Sequence, residues 1–181
     1  MEDPLPEVSG SGLRILEKAG IEVACGLMEN EALKLNRGFV NRVQKGRPFI
    51  TAKMATSLDG KTALENGVSQ WITGPQARED VQRYRASCCA ILSGSGTVLA
   101  DNPSLNVRYS ELGYAQSQIR EDNLRQPHRI IIDGRNQLHA DLKLFSLPGD
   151  ILVVNLKENS ALPAHVKQWQ APSLEGKSEG K

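Results

Sequence analysis

Cys88-Cys89-Ala90-Ile91-Leu92-Ser93-Gly94-Ser95-Gly96-Thr97 reads as an apolar strand running directly into a glycine-rich turn. Its apolar residues do not alternate with polar ones, the pattern of a strand covered on both faces. Arg129-Ile130-Ile131-Ile132-Asp133 and Ile151-Leu152-Val153-Val154 have the same character, and Phe49-Ile50-Thr51-Ala52-Lys53-Met54-Ala55 reads as a further strand. Between them, Thr73-Gly74-Pro75-Gln76 offers Thr as N-cap, Pro in the first turn and Gln at N3, so a helix is expected from there to about Ala86. Continuous apolar strands separated by a helix predict an α/β fold with a mainly parallel sheet.

Upstream the pattern differs. Leu13, Leu16 and Ala19 fall at helical spacing and Gly20 is a natural stop; Ile21–Cys25 alternates like a short strand. Ala32, Leu35, Phe39 and Val43 mark one amphipathic helix ending near Gly46. Arg47-Pro48 breaks the chain, so a domain boundary is expected there. The polar, Gln-rich stretch from Tyr109 to Gln126 reads as a surface insertion, and Ala171 to Lys181 as a disordered end.

The composition is that of an ordinary soluble protein, with 39% hydrophobic and 24% charged residues among 181. A net charge of +1 offers no electrostatic case for nucleic acid. No apolar run is long enough for a membrane span, and Met1–Gly10 is not a secretory signal. Three cysteines, Cys25, Cys88 and Cys89, suggest reduced thiols and a cytoplasmic setting. His128, His139 and His165 lack Cys or acidic partners at ligand spacing, so no metal site is expected.

The chemistry concentrates between Lys53 and Trp71 and in the stretch that follows. Lys53, within an apolar strand, could bind an anion or hydroxyl or supply a proton; as an edge residue it would simply reach water. Ser57-Leu58-Asp59-Gly60 taken alone is a tight turn. Gly94-Ser95-Gly96-Thr97 could cradle phosphate, although it is neither a dinucleotide fingerprint nor a Walker loop. Asp101-Asn102-Pro103 is a loop or cap signal that could also hydrogen-bond a ribose or carboxamide. Arg85 and Arg108 are the best anion candidates, because a guanidinium binds phosphate in a bidentate way.

The series S-L-D-G-K-T-A, S-Q-W-I-T, a helix with Arg85 near its end, and A-I-L-S-G-S-G-T-V-L-A-D-N-P-S-L-N-V-R resembles the reductase domain of the bifunctional riboflavin-biosynthesis deaminase–reductases, from about Pro48 through Gly134. The resemblance implies a dihydrofolate-reductase-like α/β fold, NADPH as hydride donor, and reduction of the ribosyl side chain of 5-amino-6-(5-phosphoribosylamino)uracil to the ribityl form. It implies cofactor contacts at Ala55, Trp71, Thr97, Asp101 and Gly134. It likewise implies substrate contacts at Lys53, Ser69, Arg85, Leu105 and Arg108, with Lys53 beside the carbon that receives hydride. The protein would mainly align donor and acceptor carbons.

Residues 1–47 are similar to the helical and strand tail of that family's cytidine-deaminase-like domain, with Leu5 where Asn is usual. The H-A-E and P-C zinc segments of the deaminase do not occur in this chain, so zinc would belong only to the missing part of the parent. After Val154 neither a glycine-rich cofactor segment nor an acidic substrate contact is found. Residues 48–181 then read as the N-terminal part of an incomplete reductase sheet, and the chain as a fragment of a parent that forms homo-oligomers. Two rivals remain: a dihydrofolate-reductase-like enzyme, and a non-catalytic fragment.

Overall fold

The computed structural model describes residues 1–69 and 71–172. The disordered end expected over 171–181 therefore lies, from residue 173 on, outside the described residues. The chain forms two compact units, Met1–Ala55 and Thr56–Lys181.

The first unit holds α1 (Ser11–Lys18), α2 (Glu29–Leu35) and α3 (Arg37–Lys45), and none of their residues is fully buried. The single helix expected through Ala32–Val43 is interrupted at Asn36. The Asn36 side-chain amide donates to the Ala32 carbonyl at 2.9 Å, a local bond that favours a helix end over a helix interior. Gly46 closes α3 in the left-handed region, φ 66°, as a C-cap glycine should.

The strands expected at Ile21–Cys25 and Phe49–Ala55 do not form; both stretches are irregular. Ile50 is 81% exposed and Met54 78%. Apolar composition does not make a strand; a hydrogen-bonded neighbour does, and these segments have no ladder to hold them.

In the second unit, α4 spans Pro75–Ser87. Its N-cap is Gly74 rather than Thr73, and no side chain caps it. The Thr73 carbonyl instead accepts from Arg78 Nη1 at 2.8 Å. Pro75 still takes the first helical position, where its missing N–H costs nothing.

The sheet comprises β1 (Ala90–Gly94), β2 (His128–Ile132), β3 (Ile151–Asn155) and β4 (Lys167–Gln170), in the order β1-β2-β3-β4, with every pairing parallel. The glycine-rich segment after β1 is a short helix, α5 (Ser95–Asp101), not an open loop. β4 has no apolar signature in sequence; Gln168 earns its place by polar contacts, accepting from Asn155 Nδ2 and the Asn159 N–H, both at 2.8 Å.

One face of the sheet is the core. Ile131, Ile151 and Val153 pack there against Val98, Leu105, Leu138, Leu142, Leu144, Phe145, Leu162 and Val166. The opposite face is open: Leu92 is 64% exposed, Ile132 48% and Trp169 55%. Continuous apolar strands predicted cover on both faces, and these strands are covered on one.

The Tyr109–Gln126 stretch is likewise not mere surface. It folds into three short 3₁₀ turns. Leu112 and Ala115 build a second small core with Val107, flanked by Ala86, Tyr109 and Leu124. Gly113 is required at its position. Its backbone is left-handed, φ 60°, and a Cβ there would meet Glu79 Oε2 at 2.6 Å.

Arg129 is 1% exposed and points into the main core. Nη1 donates to the Leu144 carbonyl at 2.7 Å, and Nη2 lies within 3.0 Å of the carbonyls of Leu147, Pro148 and Gly149. Burial pushes this guanidinium below its ordinary range, and Asp150 partly offsets that. Arg129→Met keeps the apolar stem and strands these carbonyls. A loss of roughly 2–4 kcal/mol is expected, read as a lower urea midpoint at unchanged m-value. A loss near zero would mean that water replaces the guanidinium without cost.

Candidate functional site

The polar residues singled out from sequence fall into three groups. Lys53 and Ala55 belong to the first unit, where Lys53 is exposed on the irregular stretch before Thr56. Thr97, Asp101, Leu105 and Gly134 follow the carboxyl ends of β1 and β2. Ser69, Trp71, Arg85 and Arg108 lie on α4 or on the segments that flank it in sequence or pack on it. Gln70, part of the Ser69–Thr73 cluster, lies outside the described residues.

The Ser57–Gly60 turn satisfies itself. The Gly60 N–H donates to the Ser57 carbonyl at 2.9 Å and the Ser57 N–H to the Lys61 carbonyl at 2.9 Å. The Ser57 hydroxyl bonds the Asp59 carboxylate and, with Lys61, holds it below the usual carboxylate range. This is the tight-turn reading, complete without a ligand.

At the carboxyl ends of β1 and β2 the surface is open. A Cβ at Gly94, Gly96 or Gly134 would meet no atom within 4 Å. Thr97 and Asp101 are exposed on α5. Asn102 ends α5 in the left-handed region, φ 41°, and its Oδ1 accepts the Lys143 N–H at 2.9 Å. Leu105 also has positive φ, 49°, yet is buried in the main core. A leucine held there costs on the order of 1–3 kcal/mol, so its packing fixes the backbone of this loop.

Trp71 is 70% exposed, and one face of its ring carries the Arg78 guanidinium at 4.4 Å. That contact preorganises the indole while leaving most of its surface to solvent.

The arginines converge. Arg108 lies with Nε at 2.5 Å from Glu111 Oε1 and Nη2 at 2.6 Å from Oε2, a fork-to-fork pair. Gln82, 1% exposed, holds both partners: Nε2 donates to Glu111 Oε2 at 3.3 Å and Oε1 accepts the Arg108 N–H at 3.2 Å. Arg85 reaches across from α4 to donate to the Asn106 carbonyl at 3.1 Å. Burial depresses Arg85, the nearby Arg108 charge depresses it further, and Glu111 pulls the other way. Sequence singled out both arginines but neither Gln82 nor Glu111; a Glu three residues after Arg108 was the available signal.

Among the described residues no group of three or more His, Cys, Asp or Glu side chains could hold a metal ion. No helix there is long and apolar enough to cross a membrane.

Residues 48–168 match the family described as the RibD C-terminal domain. The chain belongs to that family. It is 49% identical over 178 residues to the riboflavin biosynthesis protein RibD of Escherichia coli, covering 97% of this chain and 48% of that protein. It is 46% identical to RibD of Haemophilus influenzae over 86% of this chain and 42% of that protein. The chain thus spans about half the length of these relatives. Acinetobacter baumannii RibD superimposes with a TM-score of 0.82 at 40% identity, over 96% of this chain and 47% of that one. A Thermotoga maritima diaminohydroxyphosphoribosylaminopyrimidine deaminase/5-amino-6-(5-phosphoribosylamino)uracil reductase gives 0.80 at 36% identity, over 93% and 45%. The mainly parallel sheet agrees with the dihydrofolate-reductase-like α/β class expected from sequence.

The Arg108 hydrogen bonds hold the Glu111 carboxyl below its ordinary value of 4.5. The pair therefore stabilises the fold at pH above about 4.5, and that contribution is lost as pH falls below it. Both side chains are 41% exposed, so water screens the pair to about 1 kcal/mol or less. In urea titrations Glu111→Gln should be less stable than wild type at pH 7, with the gap narrowing as pH falls below about 4.5. A gap that does not change with pH would assign the effect to packing.

Proposed function

We propose that the chain carries substrate- and cofactor-binding elements of a pyrimidine reductase in riboflavin biosynthesis, acting in the parent protein on 5-amino-6-(5-phosphoribosylamino)uracil. The observation that supports this most strongly is the convergence of Arg85 and Arg108. Two guanidiniums, one of them half-buried and bonded to a backbone carbonyl rather than to a carboxylate, suit the 5-phosphate of a sugar. Residues 1–47 correspond in this reading to the tail of a zinc deaminase domain whose metal-binding segments lie outside this chain. Residues 48–181 correspond to the reductase part.

Bound NADPH would supply the hydride. The residues present fit such a group: open backbone at Gly94, Gly96 and Gly134 lets a ligand approach the carboxyl ends of parallel strands, where α/β proteins bind nucleotides. Thr97 and Asp101 would hydrogen-bond it, Ala55 would pack on it, and the exposed Trp71 ring would supply a flat apolar wall. On the substrate side, Ser69 and the Leu105 backbone would orient the pyrimidine ribosylamine. Lys53 would hold the sugar oxygens and a proton near the carbon being reduced. A cytoplasmic homo-oligomer is the expected form of the parent.

In the full-length protein, Arg85→Ala and Lys53→Ala should each lower kcat/KM by roughly 10–100-fold, the loss of one charged contact of about 1.5–3 kcal/mol. Wild-type kinetics in either variant would remove that residue from the site. The isolated chain should bind NADPH weakly or not at all, because the open surface at Gly94, Gly96 and Gly134 offers it few contacts. Tight binding, seen as a shift in NADPH fluorescence, would overturn that expectation.

A further inference from the structure

Arg108 presents the Nε–Nη2 edge of its guanidinium, the edge that grips phosphate in a bidentate way, and Glu111 already occupies it at 2.5 and 2.6 Å. Gln82 is buried on α4 and bonds both the Glu111 carboxylate and the Arg108 N–H, so it guides where the carboxylate sits. The carboxylate also acts on Arg78 and Arg85. One anion therefore stands among the cations of an anion site, and it is not locked in: Glu111 and Arg108 are each 41% exposed.

We propose that Glu111 is a resident surrogate for the substrate phosphate, and that it sets the affinity threshold of the site by having to leave the Arg108 fork before a ligand enters. The inference rests on the reading of Arg85 and Arg108 as the phosphate site. Binding is then an exchange of anions. A ligand with a single negative charge replaces one carboxylate by its equivalent and gains little. A phosphate monoester carries close to two charges at neutral pH, its second pKa being about 6, and gains from the exchange. Leaving the fork costs the same whichever anion enters, so Glu111 lowers the affinity for every anion by one factor; monoanions, the weakest ligands to begin with, fall below useful binding, and the unliganded arginines do not capture stray carboxylates. Displaced, it swings into solvent that it already touches.

The test is calorimetric titration of this chain with ribose 5-phosphate and, as a monoanion, dimethyl phosphate, in wild type, Glu111→Gln, Arg108→Ala and the double variant. Glutamine keeps the shape and the bond from Gln82 and removes the charge. Glu111→Gln should bind ribose 5-phosphate up to about fivefold more tightly, a change of about 1 kcal/mol or less. Dimethyl phosphate should gain by the same factor, and the gain should shrink at 0.5 M salt. Glu111→Asp should return towards wild type, and the double variant should lose the gain. A carboxylate that merely braced the loop would give the opposite result, weaker binding in Glu111→Gln. Equal or weaker binding in that variant, with Arg108→Ala still abolishing binding, overturns the surrogate role and leaves the phosphate site standing. Binding indifferent to Arg108→Ala, or no binding by any form, overturns both. Should Glu111→Gln fail to fold by circular dichroism, Glu111→Ala serves with the same expected gain.

Discussion

A guanidinium hydrogen-bonded to backbone carbonyls rather than to a carboxylate holds the second unit together. Arg129 enters the core from β2 and donates to the backbone carbonyls of Leu144, Leu147, Pro148 and Gly149. Those residues form the approach to β3, and Leu144 and Phe145 on the same approach fill the covered face of the sheet. The register Arg129↔Ile151 then follows from a side chain that reaches the turn leading into its own ladder partner. A buried charge alone would be ruinous; four carbonyl dipoles spread it and leave neither partner unsatisfied. Asp133 does the complementary work at the other end of β2, where its carboxylate accepts the N–H groups of Gln137 and Leu138, both at 3.0 Å.

Comparison of Arg129 with Arg108 shows why one arginine is structural and the other available. The acceptors of Arg129 are main-chain carbonyls that cannot move without unfolding the turn. The acceptor of Arg108 is a half-exposed side chain that needs only a rotamer change. Exposed pairs of this kind contribute about a kilocalorie or less, well within what a dianionic ligand can exchange. The same chemistry thus yields a fastener where the partner is backbone and a receptor where the partner is mobile.

The sequence carried the parts of this fold whose cause is local. Ile130–Ile132 and Ile151–Val154 are strands wherever they find neighbours, and Pro75 starts α4 because its fixed φ suits a first helical turn. What could not be read has a non-local cause. Phe49–Ala55 has strand composition and no ladder. Arg129 looks like the polar edge of an apolar run, and its burial depends on a turn some fifteen to twenty residues later. Leu112 and Ala115 sit in a stretch polar enough to pass for surface, because two apolar side chains suffice once α4 covers them. In the site, the residue types of Arg85 and Arg108 were legible. Their proximity, and the Glu111 carboxylate seated on Arg108, required the fold of the loop.

The second unit has two cores, and the division matters for the site. Thr97, Asp101, Leu105 and Gly134 hang from elements that pack into the main core through Val98, Leu105 and Ile131. Arg108 and Glu111 are borne by the loop whose Val107, Leu112 and Ala115 form the smaller core, and Arg85 precedes Ala86, which packs on it. The two meet where Leu105 and Val107, two residues apart, enter different cores. A leucine with left-handed backbone at that junction is a rigid joint, since relaxing its φ would pull it from the main core. Substitutions within one core should therefore add independently to those in the other. Those at Leu105 should couple the open strand ends to the arginine cluster, because there one short stretch of backbone serves both.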